Sequence, residues 1–182
     1  MPPSPLSQPP PDDEVRRPSR LEPIASPVVV GAQHTDILRD PSEVAQSFTR
    51  HRALALSGLL DPAFLQTLLR ICGKAQFVRD TETDIAQRQR ETPGIAGGAL
   101  ALALKRQNLF GWLDQATGCG PFHGTFGRVM QIQPHDPPRL NWHDDLPEDA
   151  SRRLAITINL GEHPYEGGLF ELRVKQTGEV LA

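Results

Sequence analysis

The chain has 182 residues and a mass of 20.0 kDa, enough for one domain with a proper core and too little for two large ones. Its formal net charge is −3 and its Lys and Arg residues are scattered, which argues against a nucleic-acid partner. The apolar runs are far shorter than a membrane span and the N-terminus has no signal-peptide pattern. We therefore expect a cytoplasmic protein with no membrane partner.

The two cysteines, Cys72 and Cys119, lie far apart and form no Cys-x-x-Cys motif. Reduced, buried thiols are the usual state of such residues in a cytoplasmic protein. We expect this state rather than a disulfide or a zinc site.

The first 27 residues differ in composition from the rest of the chain. They hold half of the 18 prolines, together with Ser, Gln and charged residues, and few apolar side chains. A segment of this composition buries too little apolar surface to offset the entropy of ordering. We predict a disordered Pro-rich tail over residues 1–27.

Two Asp-Pro pairs predict the first two helices. Asp40 is placed as an N-cap, Pro41 as the first helical residue and Glu43 as the partner in a capping box. Asp61-Pro62 opens a second helix in the same way, with apolar residues at helical spacing up to Cys72. Short strands are predicted at Val28–Val30 and Ala53–Leu56.

The middle of the chain predicts a loop followed by two more helices. Residues 78–98 are polar and end in Pro-Gly and Gly-Gly pairs, which indicates a loop that covers a site. Ala99–Lys105 and Leu109–Ala116 have helical patterns, and the second helix ends at Gly118.

From residue 121 onward the apolar period changes from 3.6 to 2. Residues 126–133 predict a strand, and the alternation over Arg153–Gly161 is the clearest strand pattern in the sequence. Residues 167–174 predict another strand, followed by a hairpin turn at Thr177-Gly178 and a return strand at 179–181. Helices followed by consecutive strands predict an α+β protein, with a helical lead-in at 28–120 and a β region at 121–182.

A histidine and an aspartate stand two residues apart immediately before the clearest strand pattern. In extended chain, residues i and i+2 face the same side, so His143 and Asp145 can point at one object. An imidazole and a carboxylate are two of the three ligands of the 2-His-1-carboxylate triad that holds non-haem Fe(II). The side chain of Asp144 points the other way and is expected to be a hydrogen-bond partner rather than a ligand.

Three stretches together resemble the Fe(II)/2-oxoglutarate-dependent oxygenases of the prolyl-4-hydroxylase-like branch. They are Trp142-His143-Asp144-Asp145, the alternating run from Arg153 to Leu160, and Tyr165-Glu166-Gly167-Gly168 with the residues up to Leu172. The upstream run Leu54 to Pro62 is similar to the helical lead-in of that superfamily. The resemblance covers the chain from about residue 53.

The resemblance implies a double-stranded β-helix, or jelly roll, beneath the helices. It implies Fe(II) held by His143, Asp145 and a distal histidine. It also implies 2-oxoglutarate as cosubstrate, with its far carboxylate on a distal basic residue. The implied reaction consumes O₂ and hydroxylates a small-molecule or peptidyl substrate while 2-oxoglutarate is converted to succinate.

Two polar residues of the alternating run are candidates for contact with the cosubstrate. If the Leu/Ile stripe packs under the helices, Thr157 and Asn159 face the opposite side, toward the interior of the barrel. The chain has no distal His or Arg in the place where the family has them, because His163 lies in a turn between the two strands. We therefore expect an incomplete jelly roll, in a C-terminally truncated chain with little activity of its own.

Two other interpretations of the same residues stay open. One is a catalytically dead interaction module of the same fold, which keeps the two-ligand motif by descent. The other is a cupin-like metal- or sugar-binding protein, in which His143 and Asp145 belong to a different ligand set. Fe(II)-dependent release of succinate from 2-oxoglutarate separates the dioxygenase from both.

Overall fold

A computed structural model describes residues 20–79, 88–132, 151–161, 171–173 and 178–182. The chain divides into two units, one formed by residues 23–162 and the other by residues 1–22 and 163–182. The described residues contain four helices and several small sheets, none of them closed. The predicted α+β class is confirmed at this level.

The second helix begins where its Asp-Pro pair predicts, and the first begins one residue later than predicted. Helix α1 spans Ser42–His51 and its N-cap residue is Pro41 rather than Asp40. Asp40 nevertheless supplies the capping side chain: its Oδ1 accepts from the Ser42 N–H at 2.9 Å, while the Asp40 N–H donates to the Glu43 carboxylate at 3.3 Å. Helix α2 spans Pro62–Cys72, and the Asp61 carboxylate accepts from the backbone N–H groups of residues 63 and 64. Both caps satisfy N–H groups that have no partner inside the helix.

The third and fourth helices are consecutive. Helix α3 spans Ile95–Leu104 and helix α4 spans Gln107–Thr117, with Gly118 in the left-handed conformation after it. Both predicted helices are confirmed, but α3 begins four residues earlier than the pattern indicates. The reason is that Gly97 and Gly98, which suggested a loop, lie inside the first turns of α3.

Four short strands precede helix α2 in the chain. Strand β1 (Ile24–Ala25) pairs in parallel with β4 (Leu56–Ser57), and β2 (Val28–Val30) pairs antiparallel with β3 (Thr35–Ile37). The strand at 28–30 is therefore confirmed, whereas the strand predicted at 53–56 is reduced to β4.

The predicted tail ends too late, because β1 is formed and Ser26 and Pro27 are buried. Residues 1–19 lie outside the described residues.

A three-stranded antiparallel sheet contains part of the segment predicted as a loop. Its strands are β5 (Gln76–Arg79), β6 (Arg88–Thr92) and β7 (Met130–Ile132), in the order β5-β6-β7. The loop prediction for residues 78–98 is thus wrong at both ends, and residues 80–87 lie outside the described residues. Strand β7 is the short remainder of the strand predicted at 126–133.

The segment with the clearest strand pattern forms no strand in the structure. Within the part of the chain that the structure describes, residues 152–161 belong to no strand, so the strand predicted over Arg153–Gly161 is wrong there. The separation of sides is present only at the end of the run, where Ile158 and Leu160 pack against the core while Thr157 and Asn159 are exposed; Ile156 of the same apolar stripe is 42% exposed. The period-2 pattern therefore predicted the inward residues only in part.

The core of the larger unit lies between the helices and the hairpin β2–β3. Leu68 of α2 and Leu109 of α4 are each 1% exposed, and Val30 is fully buried. The other buried members come from the strands and all four helices, and they are Val28, Val44, Leu60, Phe64, Ala96, Leu100, Ala103, Leu104, Trp112 and Ala116.

The smaller unit contains one described hairpin. Strands β8 (Leu172–Arg173) and β9 (Val180–Leu181) pair antiparallel, and Gly178 between them has φ +70°. Glycine adopts this left-handed conformation without steric cost, as the turn requires. The predicted return strand is confirmed, and the strand predicted at 167–174 is described only at β8.

Two composition-based expectations can be compared with the described residues. Both cysteines are free and half-buried, so no disulfide joins them. None of the described helices is long and apolar enough to cross a membrane.

Candidate functional site

The predicted iron ligands lie outside the described residues. His143, Asp144 and Asp145 lie in the range 133–150, together with His135, and His163 lies in the range 162–170. Within the ranges that are described, no three His, Cys, Asp or Glu side chains are grouped so that they could hold a metal ion. The assignment of His143 and Asp145 as ligands stays a prediction from the sequence.

The two residues predicted to contact the cosubstrate are described. Thr157 and Asn159 are both exposed, and Asn159 Oδ1 accepts a hydrogen bond from the Gly161 N–H at 2.9 Å. Asn side chains commonly accept this hydrogen bond from the backbone N–H two residues later in the chain, which forms a local turn. Both side chains lie on the side away from the core, which is the orientation that the predicted contact requires. Their role stays a prediction.

A second His-x-Asp pair in the chain shows what this spacing does on a surface strand. His34 and Asp36 lie on or next to β3, and their side chains approach to 3.5 Å between Nε2 and Oδ2. Their side chains are 52% and 57% exposed, so an ion pair between them would contribute little to stability. The described part of the chain brings no third ligand to this pair. It therefore offers a control for experiments on the pair His143 and Asp145.

The strand that leads toward the predicted motif is fixed to helix α3 by a close backbone approach. A Cβ added to Gly97 would lie 2.9 Å from the carbonyl oxygen of Gly127, and one added to Gly127 would lie 2.6 Å from that of Gly97. Real Cβ atoms do not make such contacts, so only glycine fits at both positions. Strand β7 begins three residues after Gly127 and ends eleven residues before His143.

A buried carboxylate reinforces the same contact from strand β6. Glu91 is only 6% exposed, and its Oε1 and Oε2 accept from the backbone N–H groups of Ala96 (2.7 Å) and Gly97 (2.9 Å). Its own N–H donates to the carbonyl of Val129 at 3.0 Å. Glu91 thus acts as the cap of α3, whose N-cap residue is Gly94 and has no side chain to do so.

The carboxylate of Glu91 also affects the thiol at the end of α2. Burial raises the pKa of Cys72, and the nearby negative charge of Glu91 raises it further. A thiol with a raised pKa is mostly protonated at neutral pH and is a poor nucleophile or metal ligand.

Three polar side chains of helix α4 and of its N-cap bond to the hairpin β2–β3 and to the segment that follows it. The Arg106 guanidinium donates to the carbonyls of Ala32 (2.5 Å) and His34 (2.8 Å) and to three further oxygens, the carbonyls of Gly31 and Ala103 and the hydroxyl of Thr35. The Asn108 amide donates to the Thr35 carbonyl at 3.0 Å, and the indole of Trp112 donates to the Arg39 carbonyl at 2.9 Å.

Sequence reasoning missed both Glu91 and Arg106. For Glu91 a signal existed, because the apolar helix that follows Pro93-Gly94 has no Ser, Thr, Asp or Asn at its N-cap. Such a helix needs an acceptor from elsewhere, and Glu91 is the nearest preceding acid. For Arg106 no local signal exists, since its partners in the hairpin β2–β3 lie more than 70 residues away in the sequence.

No protein family model, curated protein or solved structure matches this chain. A function has to be argued from its own residues.

Proposed function

We propose that this chain belongs to an Fe(II)- and 2-oxoglutarate-dependent dioxygenase and supplies two of its iron ligands, His143 and Asp145. The observation that carries the proposal is the motif Trp142-His143-Asp144-Asp145 followed by the run Arg153 to Leu160, in which apolar and polar residues alternate. An imidazole nitrogen and a carboxylate oxygen are donors that suit Fe(II), and their spacing allows both to face one ion.

The arrangement of residues 154–161 supports the proposal. Ile158 and Leu160 pack on the core, and this turns Thr157 and Asn159 toward the opposite side. A hydroxyl and an amide can hydrogen-bond a carboxylate. The far carboxylate of 2-oxoglutarate, which is kept in succinate, is such a group. A double-stranded β-helix over residues 121–182, with the helical segment 28–120 before it, is part of the proposal.

Iron bound at these residues would supply the oxidative chemistry, with 2-oxoglutarate converted to succinate and a substrate hydroxylated. The chain's own contribution would be to hold the metal through His143 and Asp145 and to orient the cosubstrate through Thr157 and Asn159. The class of substrate, small molecule or peptidyl residue, is left open by these four residues.

Anaerobic titration of the full chain with Fe(II), with and without 2-oxoglutarate, tests the proposal. We expect 2-oxoglutarate to tighten iron binding, and His143→Ala to weaken it at least tenfold, because one of two protein ligands is lost. His34→Ala removes the other histidine of a His-x-Asp pair and should leave binding unchanged. Equal loss in both variants, or none in His143→Ala, would show that the ligand assignment is wrong.

Release of succinate in air separates the proposal from its rivals. Succinate that depends on Fe(II) and on His143 supports a dioxygenase. Iron binding that depends on His143 but is insensitive to 2-oxoglutarate favours a cupin-like site. A chain that binds no iron, and whose fold is intact by circular dichroism, favours an interaction module.

A further inference from the structure

We draw no further inference here: the strongest candidate, the exposed apolar face of helix α3 at Ile95, Gly98 and Leu102, is a surface patch for which nothing in the part of the chain that the structure describes shows what covers it.

Discussion

The carboxylate of Glu91 accepts a hydrogen bond from the backbone N–H of Gly97 at 2.9 Å, at the point where Gly97 also touches the backbone of Gly127. One residue pair therefore joins strand β6 to the first turn of α3, beside the segment that leads into β7. The chain that follows β7 carries the predicted iron ligands, His143 and Asp145, in the sequence.

Removing the Glu91 carboxylate should destabilise the protein. Glu91→Ala leaves two N–H groups of α3 without acceptors in a buried position, and we expect a loss of about 2–3 kcal/mol in the free energy of unfolding. Glu91→Gln keeps one acceptor oxygen and should lose about half as much. Urea unfolding followed by circular dichroism measures both.

Glu43→Ala is the matched control for Glu91. It removes a glutamate from a helix start that is exposed, where the bond to the Asp40 N–H is 3.3 Å long. We expect a loss below about 1 kcal/mol. A loss as large as that of Glu91→Ala would contradict the explanation that the buried position of Glu91 makes its removal costly.

The reactivity of Cys72 should depend on Glu91. Burial and the Glu91 charge both raise the pKa of the Cys72 thiol, so the folded state holds less of the reactive thiolate at a given pH than an exposed cysteine does. Glu91→Gln removes the charge and should bring the pKa of Cys72 down part of the way. The alkylation rate of Cys72 by iodoacetamide at pH 8, resolved by peptide mass spectrometry, should then rise.

The sign of the effect on stability follows from the same shift. The folded state disfavours the Cys72 thiolate. The contribution of the protonated thiol to the free energy of unfolding is therefore complete below the pKa of an unfolded cysteine, about 8.5, and is lost as the pH rises through the raised pKa of the folded state. Free cysteine peptide gives the reference rate for the alkylation. An unchanged rate in folded Glu91→Gln would show that Glu91 does not act on the thiol.

Two neighbouring glycines of α3 should respond to alanine in opposite ways. At Gly97 an added Cβ meets the carbonyl oxygen of Gly127 at 2.9 Å, so the backbone must move, and we expect a loss of about 1–3 kcal/mol. At Gly98 an added Cβ meets nothing within 4 Å, and alanine favours the helix over glycine by about 0.5–1 kcal/mol. Gly98→Ala should therefore raise the melting temperature and Gly97→Ala should lower it.

Each glycine is the control for the other, since the same methyl group is added one residue apart on one helix. Scanning calorimetry of the two variants is sufficient. Shifts of the same sign would mean that α3 does not approach residue 127 as closely as described.

Helix starts could be predicted from the sequence because their signals are local. Asp61 and Pro62 fix the first turn of α2 with contacts two and three residues away, and the structure has them as predicted. Strands depend on partners that a local pattern does not contain. The run from 154 to 160 alternates strongly and forms no ladder, whereas β6, with the polar sequence Arg-Gln-Arg-Glu-Thr, pairs on both sides.

The iron site could be predicted only as far as a spacing of two residues allows. His34 and Asp36 have the same spacing as His143 and Asp145, and they form an exposed pair that no third ligand joins within the described residues. The spacing alone therefore does not specify a metal site. What distinguishes the second pair is its neighbourhood in the sequence, and this is why His34→Ala is the informative control.

The guanidinium of Arg106 should be indispensable for the attachment of α4 to the hairpin β2–β3. Its Nη1 donates to the carbonyls of residues 31, 34 and 103 and its Nη2 to the carbonyl of residue 32, all at 3.0 Å or less, so one ammonium group at the Nη1 position would leave the Ala32 carbonyl without its donor. Arg106→Lys should therefore cost about 1–2 kcal/mol, since the bond to Ala32 is lost. Lys105→Ala changes the neighbouring exposed cation and should alter stability by less than about 0.5 kcal/mol.

Amide hydrogen exchange gives a local measurement: residues 31–37 should exchange faster in Arg106→Lys, while the first turn of α2 should keep its protection relative to global stability. Uniform acceleration across both regions would mean that Arg106 supports the whole unit rather than this hairpin.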